Sequence, residues 1–280
     1  MTVASAKIGV PFDAYLLDEA VNWSSAKHLR DSPKAYRYYR DHPEADKDTV
    51  GRQLGRTLHT LVFEPHKFEA EYAIYDGARR GTNDYKSFVA ANPGKTILKA
   101  GEIDEVRAQA AAIRAHPALA PYLDGGLFEV SLRWRDEATG LACKGRVDWW
   151  HPATRTLIDL KSSTTIHPHY FGRIAARLGY HCQLGHYSNG IKAVTGTEPA
   201  KVAILAAQIK APYDCGLFVL SEDDLYAGQQ EVAGLLQKLA ECQASGEWPG
   251  AHPTETPLTL PPYIWGDSED PAELGVDFGS

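Results

Sequence analysis

The sequence predicts an α/β fold: a mixed central β-sheet flanked by helices, with a helical N-terminal part. Three observations carry this. Residues 127–135 (LFEVSLRWR) and 143–149 alternate apolar and polar side chains with a period of two, the pattern of half-buried strands. A helix-length segment, 170–194, separates two short apolar runs at 156–160 and 201–209, as a crossover between strands of one sheet does. The first third has helix caps and helix-period runs instead.

Taken in order, Ser24 or Ser25 caps a helix that runs to about Arg40. Asp48 or Thr49 caps a second over 50–63, which stops before Pro65. Residues 76–96, rich in Gly, Asn and Arg, read as a loop with a short helix at 84–91. An Ala-rich helix at 101–115 ends before Pro117. The hairpin 127–149 turns at 137–140, and a second turn at 151–154 leads into the strand 156–160. The helix 170–194, strands at 201–209 and 215–220, and a helix from Glu222 to about Ala244 follow. Prolines crowd 249–262 and predict an extended tail. The expected division is a helical part at 1–116 carrying His59, an α/β core at 117–246, and a Pro-rich acidic tail at 247–280.

With 44% hydrophobic and 23% charged residues in 280, the composition excludes a disordered or collagen-like chain. The longest apolar stretch, near 202–207, is far short of the roughly 20 residues that span a bilayer. No basic start precedes an apolar core at the N-terminus, so the expected location is the cytoplasm and no membrane partner is expected. The net charge of −7 argues at first sight against a nucleic-acid partner. Up to Lys238, however, 29 basic residues face 28 acidic ones, and every charged residue after it is acidic. Phosphate is held by local fields, screened within about 10 Å, so the charge does not decide the partner. Cys143, Cys182, Cys215 and Cys242 lie far apart without a C-x-x-C pair, which suggests no iron–sulfur cluster and no disulfide framework. His167-x-His169 and His181-Cys182…His186 lack the spacing of known zinc ligands.

Asp148 ends one predicted strand, in GRVDWW, and Asp159 ends the next, in TLIDLKSS. Lys161 shares a strand face with Asp159, so two carboxylates and an ammonium can converge. Two hard oxygen ligands suit Mg²⁺ or Mn²⁺, and a nearby lysine can stabilise developing phosphoryl charge. For an isolated D-x-K, a turn pair with a surface ion-pair partner is the competing reading. Gln183 and Tyr187, at i and i+4, share a helix face that can orient a substrate. His59, in GRTLHTLVFEP, is aimed inward by apolar neighbours, either as a third ligand or as a hydrogen-bonded core histidine. Arg79, Arg80 and Arg173 are candidate phosphate contacts, as are Ser162 and Ser163, which follow Lys161. Trp149 and Trp150 are expected to pack against the sheet rather than stack on a base.

The order His59 … Asp148 … Asp159-Leu160-Lys161 … Gln183-x-x-x-Tyr187 resembles the PD-(D/E)XK nuclease superfamily in its RecB and lambda-exonuclease-like branch. It resembles most closely the RecE-type exodeoxyribonuclease VIII family. Residues 22–36, 55–65, 77–88 and 246–250 with 260–265 resemble further segments of that family. The motif's Pro-Asp is Val147-Asp148 here, and Asp159 stands where some members have Glu. The resemblance implies a restriction-endonuclease-like core. It implies a Mg²⁺ or Mn²⁺ ion on His59, Asp148, Asp159 and the Leu160 carbonyl, with Glu129 as a further or second-metal carboxylate. Lys161 becomes the catalytic lysine, with Gln183 and Tyr187 positioning the substrate. The activity implied is exonuclease digestion of linear double-stranded DNA from its ends, in phage or prophage-type recombination, with a single-strand annealing protein as partner. A homo-oligomeric ring, a tetramer, is expected too. One chain of this length has a radius of gyration of roughly 19 Å and is too small to enclose a duplex. The alternatives are a non-catalytic DNA-binding or recombination subunit on the same fold, and an endonuclease.

Overall fold

A computed structural model of the chain describes residues 4–45, 48–123, 125–252 and 254–260. Six strands form one sheet in the order β1-β4-β5-β6-β7-β8: β1 (Ser5–Lys7), β4 (Leu127–Arg135), β5 (Ala142–His151), β6 (Thr156–Ser163), β7 (Lys201–Gln208) and β8 (Cys215–Val219). Only β6 and β7 pair in parallel, so the sheet is mixed as expected. A separate parallel pair, β2 (Tyr72–Tyr75) with β3 (Thr96–Lys99), was not anticipated: two four-residue strands some twenty residues apart carry too weak a local signal.

The N-terminal part opens with α1 (Phe12–Leu17) and α2 (Trp23–Ala26), the latter capped by the Asn22 side chain on Ser25 N–H. A 3₁₀ turn, Lys27–Arg30, precedes α3 (Pro33–Asp41). This corrects the single helix expected from Ser24 or Ser25 to Arg40. Pro33 has no N–H to donate and cannot continue a helix, so it starts a new one behind its cap Ser32. Helix α4 (Val50–Phe63) begins at the Thr49 cap and has the expected bounds. Then come α5 (Phe68–Glu71), α6 (Asn83–Ala91), α7 (Ala100–Ala115) and α8 (Ala120–Leu123).

The crossover from β6 to β7 is two helices, α9 (Pro168–Leu178) and α10 (Tyr180–Thr195), where one was expected. Gly179 divides them in the left-handed conformation (φ +69°), and its N–H caps the end of α9. A side chain there would also meet the Trp23 ring at 2.6 Å. Helix α11 (Glu222–Ser245) packs along α10. Among its described residues up to 260 the tail has no helix or strand, but Trp248 stacks on Tyr36 and Pro249 accepts from Lys34 N–H. Residues 261–265 of the closing segment and the acidic stretch 267–280 lie outside the described residues. No described helix is long and apolar enough to cross a membrane.

Two cores sandwich the sheet. On one face Val130, Leu132, Val147, Leu157 and Ile204 pack with Leu184 and Ile191 of α10 and Val232, Leu236 and Leu239 of α11. On the other, Trp149, Ile158, Leu160 and Leu205 pack with Leu58 and Phe63 of α4 and Val106, Ala110 and Ile113 of α7. Trp149 and Trp150 are both buried, as expected, one in each core.

Helices α10 and α11 touch through glycines. A Cβ on Gly228 would lie 2.3 Å from the His181 carbonyl oxygen. Gly228→Ala should therefore destabilise the protein by about 2 kcal/mol, although alanine is intrinsically the better helix former by about 1 kcal/mol. Urea unfolding measures the change, and an unchanged midpoint would mean the helices can part freely.

Candidate active site

Strands β4, β5 and β6 are irregular at one level, and there the predicted residues meet. The β4/β5 ladder pairs Phe128 with Trp149 and Val130 with Val147 but omits the pair between them, Glu129 opposite Asp148. Both strands change face at that point. Leu127 and Val130 face one core, three residues apart, with Phe128 in the other. Val147 and Trp150 repeat this, with Trp149 in the other core. A strand keeping its period of two cannot do so. At Glu129 the cause is visible: its backbone is left-handed (φ +50°), which costs energy for a residue with a Cβ. The β5/β6 ladder ends at Trp149–Ile158, one pair short of Asp148 opposite Asp159. The Asp148 carboxylate takes over the missing bond, its Oδ2 accepting the Leu160 N–H at 2.7 Å.

The other expected members surround this gap. His59, on α4, donates from Nε2 to the Leu160 carbonyl at 3.2 Å. Its Nδ1 lies 3.6 Å from Asp148 and 3.7 Å from Glu129. Lys161 Nζ lies 2.7 Å from Asp159 Oδ2 and 5.0 Å from the centre of the Tyr180 ring. The Gln183 amide donates to Asp159 Oδ1 at 3.2 Å and to Tyr187 Oη at 2.9 Å, so both Asp159 oxygens are engaged.

Crowding governs the charges. Burial, with Asp159 and Glu129 nearby, pushes the Asp148 carboxyl up to about 7 against the pull of His59 and Lys161. Burial would lower His59, but Asp148 and Glu129 outweigh it and hold the imidazole up to about 9. Burial likewise opposes Lys161, yet Asp159 and Asp148 keep it charged. Burial would raise Glu129, but the neighbouring His59 charge and the bond from Arg146 hold it below the usual carboxylate range. Burial keeps Tyr187 a neutral phenol.

The donor set fits a hard divalent ion. One ligating atom each from His59, Glu129 and Asp148 lies within 4.8 Å of the others, with the Leu160 carbonyl adjoining. The carboxylates and the carbonyl are hard oxygen donors that suit Mg²⁺ or Mn²⁺, with the imidazole as the one nitrogen donor. Asp159, near enough to raise the Asp148 carboxyl, is held towards Lys161 and Gln183.

Sequence reasoning missed Arg146. Its Nε donates to Glu129 Oε2 at 2.5 Å, and its guanidinium also bonds the Val10 carbonyl, tying the N-terminal arm to the site. Its place two residues before Asp148 was the available signal. Among the expected phosphate contacts, Arg80 makes a two-pronged bond to Glu102, and the Ser163 hydroxyl donates to the Thr165 carbonyl. Both therefore serve local structure. Arg79, Ser162 and Arg173 are exposed.

Comparison with known proteins gives a family and a shared fold. A family described as a PDDEXK-like domain of unknown function (DUF3799) matches residues 22–254. The fold is shared with a crystal structure of a candidate exonuclease from Eubacterium rectale, at 15% identity and a TM-score of 0.64. That alignment covers 97% of this chain and 100% of the other. A phage-related exonuclease from Haemophilus somnus 129PT aligns at 18% identity over 83% of this chain and 98% of its own, with a TM-score of 0.36. No curated protein sequence matches the chain.

Proposed function

The chain belongs to the PDDEXK-like DUF3799 family, and from that premise we propose that it is a metal-dependent DNA exonuclease acting on the ends of linear duplexes. One observation carries the reading. Glu129, Asp148, Asp159, Lys161, His59 and the Leu160 carbonyl gather where two ladders are interrupted, at the cost of a left-handed glutamate. A surface ion pair needs no such distortion.

In this proposal His59, Asp148, Asp159 and the Leu160 carbonyl hold Mg²⁺ or Mn²⁺, with Glu129 beside them. A bound ion supplies Lewis-acid activation of water and neutralises phosphate charge. The Lys161 ammonium, fixed by Asp159, stabilises the charge that develops on the phosphoryl oxygens. Gln183 holds the Asp159 carboxylate in place, and Tyr187 anchors Gln183. Arg146 does the same for Glu129. The name of the Eubacterium rectale relative favours an exonuclease over an endonuclease. A homo-oligomeric ring, a tetramer, would provide the enclosure one chain is too small to make. A single-strand annealing protein is the proposed partner in phage-type recombination, in the cytoplasm.

An end-labelled linear duplex and a covalently closed circle, each with Mg²⁺ and with EDTA, test this together with light scattering. Digestion of the linear DNA alone, abolished by EDTA, with a mass near four chains, is the expected result. Equal cutting of the circle would make the protein an endonuclease. Duplex binding without cleavage would make it a binding subunit.

A further inference from the structure

A second group of ligating side chains lies at the start of α10, outside the site above. His181 Nε2 is 3.4 Å from Cys182 Sγ and 3.6 Å from Glu231 Oε2 on α11, and the three ligating atoms lie within 4.8 Å of one another. The His181–Glu231 separation is too long for a hydrogen bond. It is close to a coordination edge. With Zn–N and Zn–O bonds of about 2.0–2.2 Å and Zn–S of about 2.3 Å, neighbouring ligand atoms of a tetrahedral site stand about 3.3–3.6 Å apart.

We propose that His181, Cys182 and Glu231 form a Zn²⁺ site that fastens α10 to α11, with the fourth position open to solvent. The thiolate is a soft donor and favours zinc, which an imidazole also suits, whereas the site rich in carboxylate oxygens favours Mg²⁺ or Mn²⁺. Arg30 binds the other Glu231 oxygen, Oε1, at 2.7 Å, leaving Oε2 for the metal. The guanidinium is also anchored on the Arg177 carbonyl. Cys182 is buried, and its thiol is pushed up to about 12 by burial and by Glu231, so it keeps its proton until the metal displaces it into solvent. His181 and Glu231, partly exposed, form the mouth through which the ion enters. Gln183, one residue beyond Cys182, holds Asp159, so the metal braces the turn that positions this carboxylate. Sequence spacing could not reveal the site, because Glu231 comes from another helix 49 residues on.

The test uses the full-length protein, stripped with chelator and titrated with Co²⁺ and then Zn²⁺ in excess Mg²⁺. One equivalent of Co²⁺ should produce a thiolate-to-cobalt charge-transfer band, displaced by Zn²⁺. Zinc should raise the melting temperature by roughly 3–8 °C. Asp148→Asn should keep both effects. Cys182→Ser should lose the band, and Glu231→Gln, which changes a partly exposed residue, should weaken zinc binding at least tenfold. Absence of the thiolate band in the unaltered protein overturns the proposal, even if Cys182→Ser fails to fold. Zinc binding that Asp148→Asn abolishes overturns it too, because the metal then sits among the carboxylates.

Discussion

Lys161→Met is expected to lower cleavage of a linear duplex by roughly 10³-fold or more while leaving duplex binding nearly unchanged. The ammonium is 2.7 Å from Asp159, with side-chain exposures of 18% and 2%. Methionine keeps an unbranched apolar stem of similar length and removes the ammonium, its charge and its N–H donors together. It also leaves a buried carboxylate with the Gln183 amide as its remaining bond, and breaking one side of a buried pair costs about 3–5 kcal/mol. Stability and activity should therefore fall together in the single variant, which does not separate chemistry from structure. The double variant Lys161→Met with Asp159→Asn does. It removes both charges, so most of the lost stability should return while activity stays absent. Cleavage rates and urea midpoints on the three proteins give the answer. Recovery of activity along with stability would make the pair a structural salt bridge.

Much of the fold was legible because its signals are local. Thr49 caps α4 and Pro65 follows it, and residues 127–135 alternate cleanly. The errors arose where a local signal was overruled. Helical residues on both sides hid the stop at Pro33 and the left-handed Gly179. Strands β5 and β6 run past Asp148 and Asp159, to His151 and Ser163, so neither aspartate ends its strand as expected. What ends near them is the pairing between the strands. The site was legible in its residue types and their order. Its geometry was not, because glutamate is no signal for positive φ, and a face switch shared by two strands appears only once they are paired. The bonds of Arg146 to Glu129 and to the Val10 carbonyl depend on the same pairing and on where the N-terminal arm lies.

Asp148→Asn should abolish Mg²⁺-supported cleavage and yet make the protein more stable in EDTA. Asparagine has the shape of aspartate, and its side-chain oxygen can still accept the Leu160 N–H that Asp148 now holds at 2.7 Å. What it loses is a buried charge that burial, Asp159 and Glu129 make costly, enough to push the carboxyl up to about 7. A carboxyl raised in the folded state takes up its proton more readily there than in the unfolded chain, whose ordinary value is 3.8. Stability of the unaltered protein in EDTA should therefore decline as pH rises from about 4 to about 7, and this part of the slope should vanish in the variant. At pH 7.5 the variant should melt roughly 3–6 °C higher in EDTA. Added Mg²⁺ should close that gap by raising the melting temperature of the unaltered protein and not that of the variant. A structural ion pair predicts the opposite sign, because removing Asp148 would leave the half-buried His59 without its strongest partner. A lower melting temperature in EDTA, with stabilisation by Mg²⁺ retained, would therefore place the metal elsewhere and return Asp148 to a structural role.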